Sequence, residues 1–76
     1  VHDAIRRHRH VRTIIHLRTQ HLGPDELLIG AKVEYDRNLT IEQLVVAIDE
    51  TEVLLRTAVP SARFVYIEPD IKRPTE

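Results

Sequence analysis

Five histidines, His2, His8, His10, His16 and His21, supply every side chain in this sequence that both titrates near neutral pH and ligates metal as a neutral group. His16 and His21, taken with Glu68 and Asp70, form the one histidine and carboxylate set outside the tail that could converge. Zinc accepts imidazole and carboxylate ligands at about 2.0–2.2 Å, commonly four of them. The expected site is a weak, non-standard one for zinc or another divalent cation, drawing on His16, His21 or Glu68, and no cofactor is required. The spacing itself matches no zinc helix motif, and solvent-exposed or structural histidines are the plainer reading.

Other chemistries are thinly supplied. No cysteine is present, which removes disulfides, thiolate metal sites and cysteine nucleophiles. Without methionine as well, a free copper carrier lacks its soft ligands. Gly23 and Gly30 stand seven apart, too sparse for a phosphate-binding loop, and Ser61 has no nucleophile-elbow context. No catalytic residue is assigned and no enzymatic activity is expected.

Charge is unevenly distributed. Residues 1–21 carry five Arg against one Asp, whereas residues 22–76 carry six Lys or Arg against eleven Asp or Glu. A basic stretch can meet phosphate or an anionic membrane surface. Here it lacks interleaved aromatics and is followed by an acidic remainder, so no nucleic-acid partner is expected. The 76 residues, 42% hydrophobic and 30% charged, suit one small folded domain with a thin core. No apolar run approaches the roughly 20 residues of a membrane helix, and the chain starts at Val1 without a signal-peptide pattern. This start is read as a cut from a longer protein.

The elements that must position these residues follow from periodicity. His2 to His8 reads as the end of a short helix. Val11 to Thr19 is β-branched and reads as a strand running toward the turn signal Gly23-Pro24-Asp25. In Glu26 to Tyr35, Leu27, Ile29, Ala31, Val33 and Tyr35 alternate against Gly30, Lys32 and Glu34, the pattern of a half-buried strand in a hairpin. Thr40 and Gln43 have capping-box spacing and open a helix that runs to about Val59, before Pro60. Ile41, Leu44, Val45, Ile48, Leu55 and Val59 share its apolar face. Glu52 lies within that face and needs a partner, most simply Arg56 four residues on, in an ion pair pinning helix to sheet. Val46 and Val53 sit on the polar face, where a contact with another surface would use them. Arg63 to Glu68 is a last strand, closed by Pro69.

The predicted fold is α+β, an α-β-β-α-β two-layer sandwich with three antiparallel strands and both helices on one face. Residues 1–70 form the domain and 71–76 a tail. One sheet face is left uncovered, which in so small a domain points to a dimer or docking surface.

The ordered set His16-Leu17-Arg18-Thr19-Gln20-His21-Leu22-Gly23-Pro24, Leu27-Leu28, Val33-Glu34-Tyr35-Asp36, Leu39-Thr40 and Val65-Tyr66-Ile67-Glu68-Pro69 resembles the C-terminal cytoplasmic domain of cation diffusion facilitator transporters. The resemblance spans residues 1 to about 70. It implies a ferredoxin-like, metallochaperone-like fold and a homodimer on the cytoplasmic side of the cell membrane, below a transmembrane domain of the same chain. That membrane domain exchanges zinc or a similar divalent ion for protons. The basic start then fits the positive-inside bias beside a last membrane helix.

The resemblance also implies ligand positions, and here they hold Ile15, Lys32, Val45 and Tyr66, leaving only the acid Glu68. The usual binuclear site is therefore not expected. The dimer surface is placed on the open sheet face at Ile15, Lys32, Phe64, Tyr66 and Glu68. That register turns Ile14 and His16 toward the helix, whereas simple alternation buries Val11, Ile15 and Leu17; a one-residue bulge would reconcile them. An alternative of another class is a small-molecule sensor of ACT-like type with a ligand at a dimer interface, although the element order argues against it.

Overall fold

The computed structural model describes residues 1–74 and contains five elements: α1 (His2–Arg6), β1 (Val11–Gly23), β2 (Glu26–Tyr35), α2 (Ile41–Ala58) and β3 (Ala62–Pro69). Residues 75 and 76, the end of the predicted tail, lie outside the described residues.

β1 and β2 form the predicted hairpin, joined through Pro24-Asp25, with Gly23 paired to Glu26. Among the described residues none has a positive φ. The turn is therefore not one of the primed types that match strand twist on their own. The irregularity between His21 and Gly23 supplies the adjustment instead. β1 is 13 residues long, well past the predicted end at Thr19, because it follows β2 to the hairpin tip.

α2 begins where the side chains dictate. Thr40 Oγ1 accepts the Gln43 amide at 3.1 Å, and Gln43 Oε1 accepts the Thr40 amide at 2.9 Å. Its 18 residues carry the chain back along the sheet by about 27 Å at 1.5 Å per residue. That return fixes the direction of β3: it runs parallel to β2, in the order β1-β2-β3. The three-stranded sheet and element order are as expected, but the sheet is mixed, not wholly antiparallel. A helical crossover ends at the same edge of the sheet from which β2 set out, and only a parallel strand can start there.

The core lies between α2, α1 and one face of the sheet. Ile5, Ile29, Val33, Thr51 and Leu55 are fully enclosed, joined by Ala4, Ala31, Tyr35, Ala47, Ala62 and Val65. The apolar face of α2 is rotated from the predicted one. Ile41 is 81% exposed and Val45 is also exposed, whereas the small residues Ala47 and Thr51 are buried beside Leu55. Thr51 is tolerated inside because its hydroxyl donates to the Ala47 carbonyl at 2.7 Å and accepts from the Tyr35 hydroxyl at 2.9 Å. Val46 and Val53 are exposed, as their positions imply.

A second polar cluster ties the N-terminal segment down. His8, 7% exposed, meets Glu50 of α2 with Nε2 to Oε1 at 2.8 Å. Its Nδ1 accepts the His10 amide at 3.2 Å, which leaves Nε2 as the protonated nitrogen facing the carboxylate. His10 reaches Asp36 at 3.1 Å, just past the end of β2.

Candidate functional site

Because β2 is central and its side chains alternate, its buried set Ile29, Ala31, Val33 and Tyr35 forces Leu28, Gly30, Lys32 and Glu34 to the other face. Neither helix covers that face. Its arrangement follows from the pairing registers: His16 opposite Lys32 opposite Glu68 in one row, Arg18 opposite Gly30 opposite Tyr66 in the next, and Gln20 opposite Leu28 opposite Phe64 in the third.

The β1 side of these rows depends on two register shifts, one that leaves Arg12 unpaired between Val11 and Thr13 and a bulge after Ile14. Ile14 pairs with Val33 and His16 with Lys32, so Ile15 is the extra, unpaired residue. Val11, Ile14 and Leu17 pack on the core, and His16 emerges on the open face. The bulge thus changes both registers read from sequence. Ile14 does turn inward, but His16 does not, and Ile15, placed in the dimer surface from sequence, is a half-buried bulge residue flanking it. Lys32, Phe64, Tyr66 and Glu68 do share the open face.

Two properties distinguish this surface. The first is an aromatic pair: Phe64 and Tyr66 stack with ring centroids 6.5 Å apart and planes 4° from parallel, and the Arg63 guanidinium lies 5.5 Å from the Phe64 centroid. Tyr66 is 61% exposed. Beside it Gly30 leaves open space where a side chain would stand. His16, Arg18, Lys32, Tyr66 and Glu68 border a shallow depression that also reaches Ile48 and Glu52 of α2. Mid-strand glycine of this kind admits a close approach from outside. The second is a charge gradient across the strands. The β1 edge presents His16 and Arg18; the β3 edge presents Glu68, followed by Asp70.

Lys32 stands between them. Its Nζ is 3.7 Å from Glu68 Oε2 and 3.6 Å from Asp70 Oδ2. Asp70 is held in place independently: its amide donates to the Val33 carbonyl at 3.0 Å, and its carboxylate accepts from the Ile71 amide at 2.8 Å and from Arg73 at 3.2 Å. The Ile71 amide first, then the Arg73 guanidinium, hold the Asp70 carboxyl below its ordinary value, with Lys32 adding the smallest share.

The residues suggested as metal ligands are not brought together. His21 pairs with Leu27 near the hairpin tip and points to the opposite face from His16. His16 and Glu68 share a face but stand two strand spacings apart, about 9–10 Å, with Lys32 between them. Among the described residues, no three His, Asp or Glu side chains are grouped closely enough to hold a metal ion. An ammonium beside the acids opposes a divalent ion: two unit charges 4 Å apart repel by about 1 kcal/mol in water and about 4 kcal/mol at an effective dielectric of 20, and a divalent ion doubles this. The donor set does not fit a resident divalent cation.

Glu52 is half-buried, not central to the core, and pairs with Arg56 at 3.1 Å as expected. Arg56 also donates to the Ala62 and Arg63 carbonyls at 3.3 Å each, which fastens the end of α2 to the start of β3. The His8–Glu50 contact was missed by sequence reasoning. Its one local signal is the unusual density of His and Arg just before a strand, which also describes an exposed basic segment.

No protein-family model and no curated protein sequence matches the chain. Solved structures do. A nickel form of a substituted MamM C-terminal domain superposes with a TM-score of 0.84 at 18% identity, over 93% of this chain and 89% of that one. A cadmium form and a copper form of other substituted MamM C-terminal domains give the same score and identity over 93% of this chain and 88% of each of those. The fold reached from the sequence, α-β-β-α-β around a three-stranded sheet, is therefore that of the C-terminal domain of MamM, a transporter of the cation diffusion facilitator family.

Proposed function

We propose that this chain is the cytosolic dimerisation and regulatory domain of a cation diffusion facilitator transporter that exchanges zinc or a similar divalent cation for protons. The observation that carries the reading is the open sheet face: an exposed aromatic stack beside a glycine gap, with opposite charges on its two edges, in a fold shared over nearly its whole length with a domain of such a transporter.

The occupant of that face is a second copy. A two-fold axis above β2 and along the strands sets the β1 edge of one copy over the β3 edge of the other, at the same level along the strands. His16 then faces the partner's Glu68, and Arg18 faces the ring of the partner's Tyr66, where a guanidinium is well placed on an aromatic face. Gly30 lies near the axis, where the two sheets come closest. A surface whose halves complement each other suits an isologous interface, which needs self-complementarity. Domain association on the cytoplasmic side would bias the attached membrane domain by population shift.

Sedimentation equilibrium of the domain tests this. Wild type is expected to dimerise, and Tyr66→Asp to weaken the dimer at least tenfold while leaving the monomer folded. An unchanged profile for Tyr66→Asp would remove the open face from the interface.

A further inference from the structure

We infer that Lys32 is a built-in cation: its ammonium stands between Glu68 and Asp70 where a metal ion would otherwise balance the acids at the end of β3, so that association through the open face does not depend on a metal ion. This rests on the reading of that face as the self-association surface. The inference comes from the disagreement between a fold whose solved counterparts include nickel, cadmium and copper forms and a donor set that, among the described residues, gathers no three ligands for such an ion.

Four observations carry it. Lys32 is in the central strand, so its position is fixed from both sides by paired neighbours, His16 and Glu68. Its Nζ lies almost equally far from Glu68 and Asp70, beyond hydrogen-bond length to either, and so acts as a charge shared between two carboxylates. Asp70 is oriented by the Ile71 amide and by Arg73, so its placement does not depend on Lys32. Lys32 is only half-exposed, which places the ammonium within the face instead of above it. Without that charge, Glu68 would stand uncompensated beside Asp70, whose remaining cation is Arg73, on a surface that must approach another copy of itself. With it, Glu68 and Asp70 are balanced by Lys32 and Arg73, and the exposed Glu68 carboxylate still faces the β1 edge of the partner.

The test combines sedimentation with zinc calorimetry on the wild-type chain, Lys32→Gln and Lys32→Arg. Wild type should show the same dimer constant, within twofold, in EDTA and in excess zinc. Lys32→Gln should weaken the dimer about tenfold in EDTA and regain it when zinc is added, because the ion then replaces the lost charge at Glu68 and Asp70. Lys32→Arg should behave as wild type, which separates charge from packing. A wild-type dimer tightened tenfold by zinc overturns the inference, and so does a Lys32→Gln dimer as tight as wild type in EDTA. If wild type stays monomeric in every condition, the self-association reading itself fails. The built-in cation is then decided by calorimetry, where Lys32→Gln must bind zinc at least ten times more tightly than wild type.

Discussion

The two faces of β2 are built from neighbouring residues under opposite rules. On the helix side Ile29, Ala31, Val33 and Tyr35 are buried, and the one polar group among them, the Tyr35 hydroxyl, has a partner inside. On the other side Leu28, Gly30 and Lys32 are only partly covered, a glycine gap is left unfilled, and an aromatic stack and a shared lysine face outward. The difference teaches that the helix-covered face carries the fold and that the open face is free of that task.

Substitutions that separate folding from association sharpen this comparison, and the largest effect is expected in the core. Leu55 is fully enclosed, so Leu55→Ala should lower stability by about 2–5 kcal/mol in a denaturant titration. Its dimer constant, measured where it is still folded, should not move. Next comes the hydroxyl chain behind β2. Thr51→Val leaves the Tyr35 hydroxyl buried without an acceptor and should lower stability by about 1–3 kcal/mol. Tyr35→Phe removes both donor and need, and should have a smaller effect in the same titration.

The Tyr35 phenol also gives a pH signature. Burial is the main cause that pushes it above its ordinary value of 10.0, outweighing the opposite effect of its Thr51 hydrogen bond. The Thr51 proton is already given to the Ala47 carbonyl, so the phenol must act as donor and stay protonated. Folding therefore favours the proton-bound form, and the associated stability is complete below pH 10 and lost as pH rises through the folded value. Alkaline melts should show this loss in wild type and not in Tyr35→Phe. An identical alkaline slope in both would break the assignment of this residue to the sealed face.

The smallest effects belong to the open face. Tyr66→Asp and Lys32→Gln should change the stability of the monomer by no more than about 0.5 kcal/mol, the range usual for surface substitutions. The Asp70 carboxyl, depressed chiefly by the Ile71 amide, contributes stability above its ordinary range, and this is lost as pH falls through its lowered value. A carbon-detected NMR titration should place its midpoint below that of a free aspartate. Core-sized losses from any open-face variant would erase the distinction between the faces.

Much of the helix-covered face was legible in the sequence. The span of β2 and the Thr40 and Gln43 cap were readable because strict alternation and a reciprocal hydrogen-bond pair are local rules. The turned face of α2 was not. Weighting by large apolar side chains favours Ile41 and Val45, whereas the packed stripe uses Ala47 and Thr51, whose small size lets the helix come close and whose polarity is satisfied within the fold. The open face was only half legible. Its β3 residues follow from alternation, but the β1 row depends on a bulge at Ile15, and a one-residue insertion has no signature in a β-branched run. The parallel direction of β3 depends on where the helix returns the chain, a tertiary fact that strand patterns do not carry.

The contact between His8 and Glu50 also has a mechanical meaning. Val1 and the short α1 lead directly into β1, and a pull on them would by itself unzip that edge strand one hydrogen bond at a time. His8 is fastened sideways to Glu50 in the middle of α2, and His10 to Asp36 beyond the end of β2. Tension entering at the N-terminus is therefore divided before it reaches the first pair of the sheet, and part of it loads the long helix in shear. A displacement of the segment before β1 would thus be felt by α2 as well as by the first pair of the hairpin.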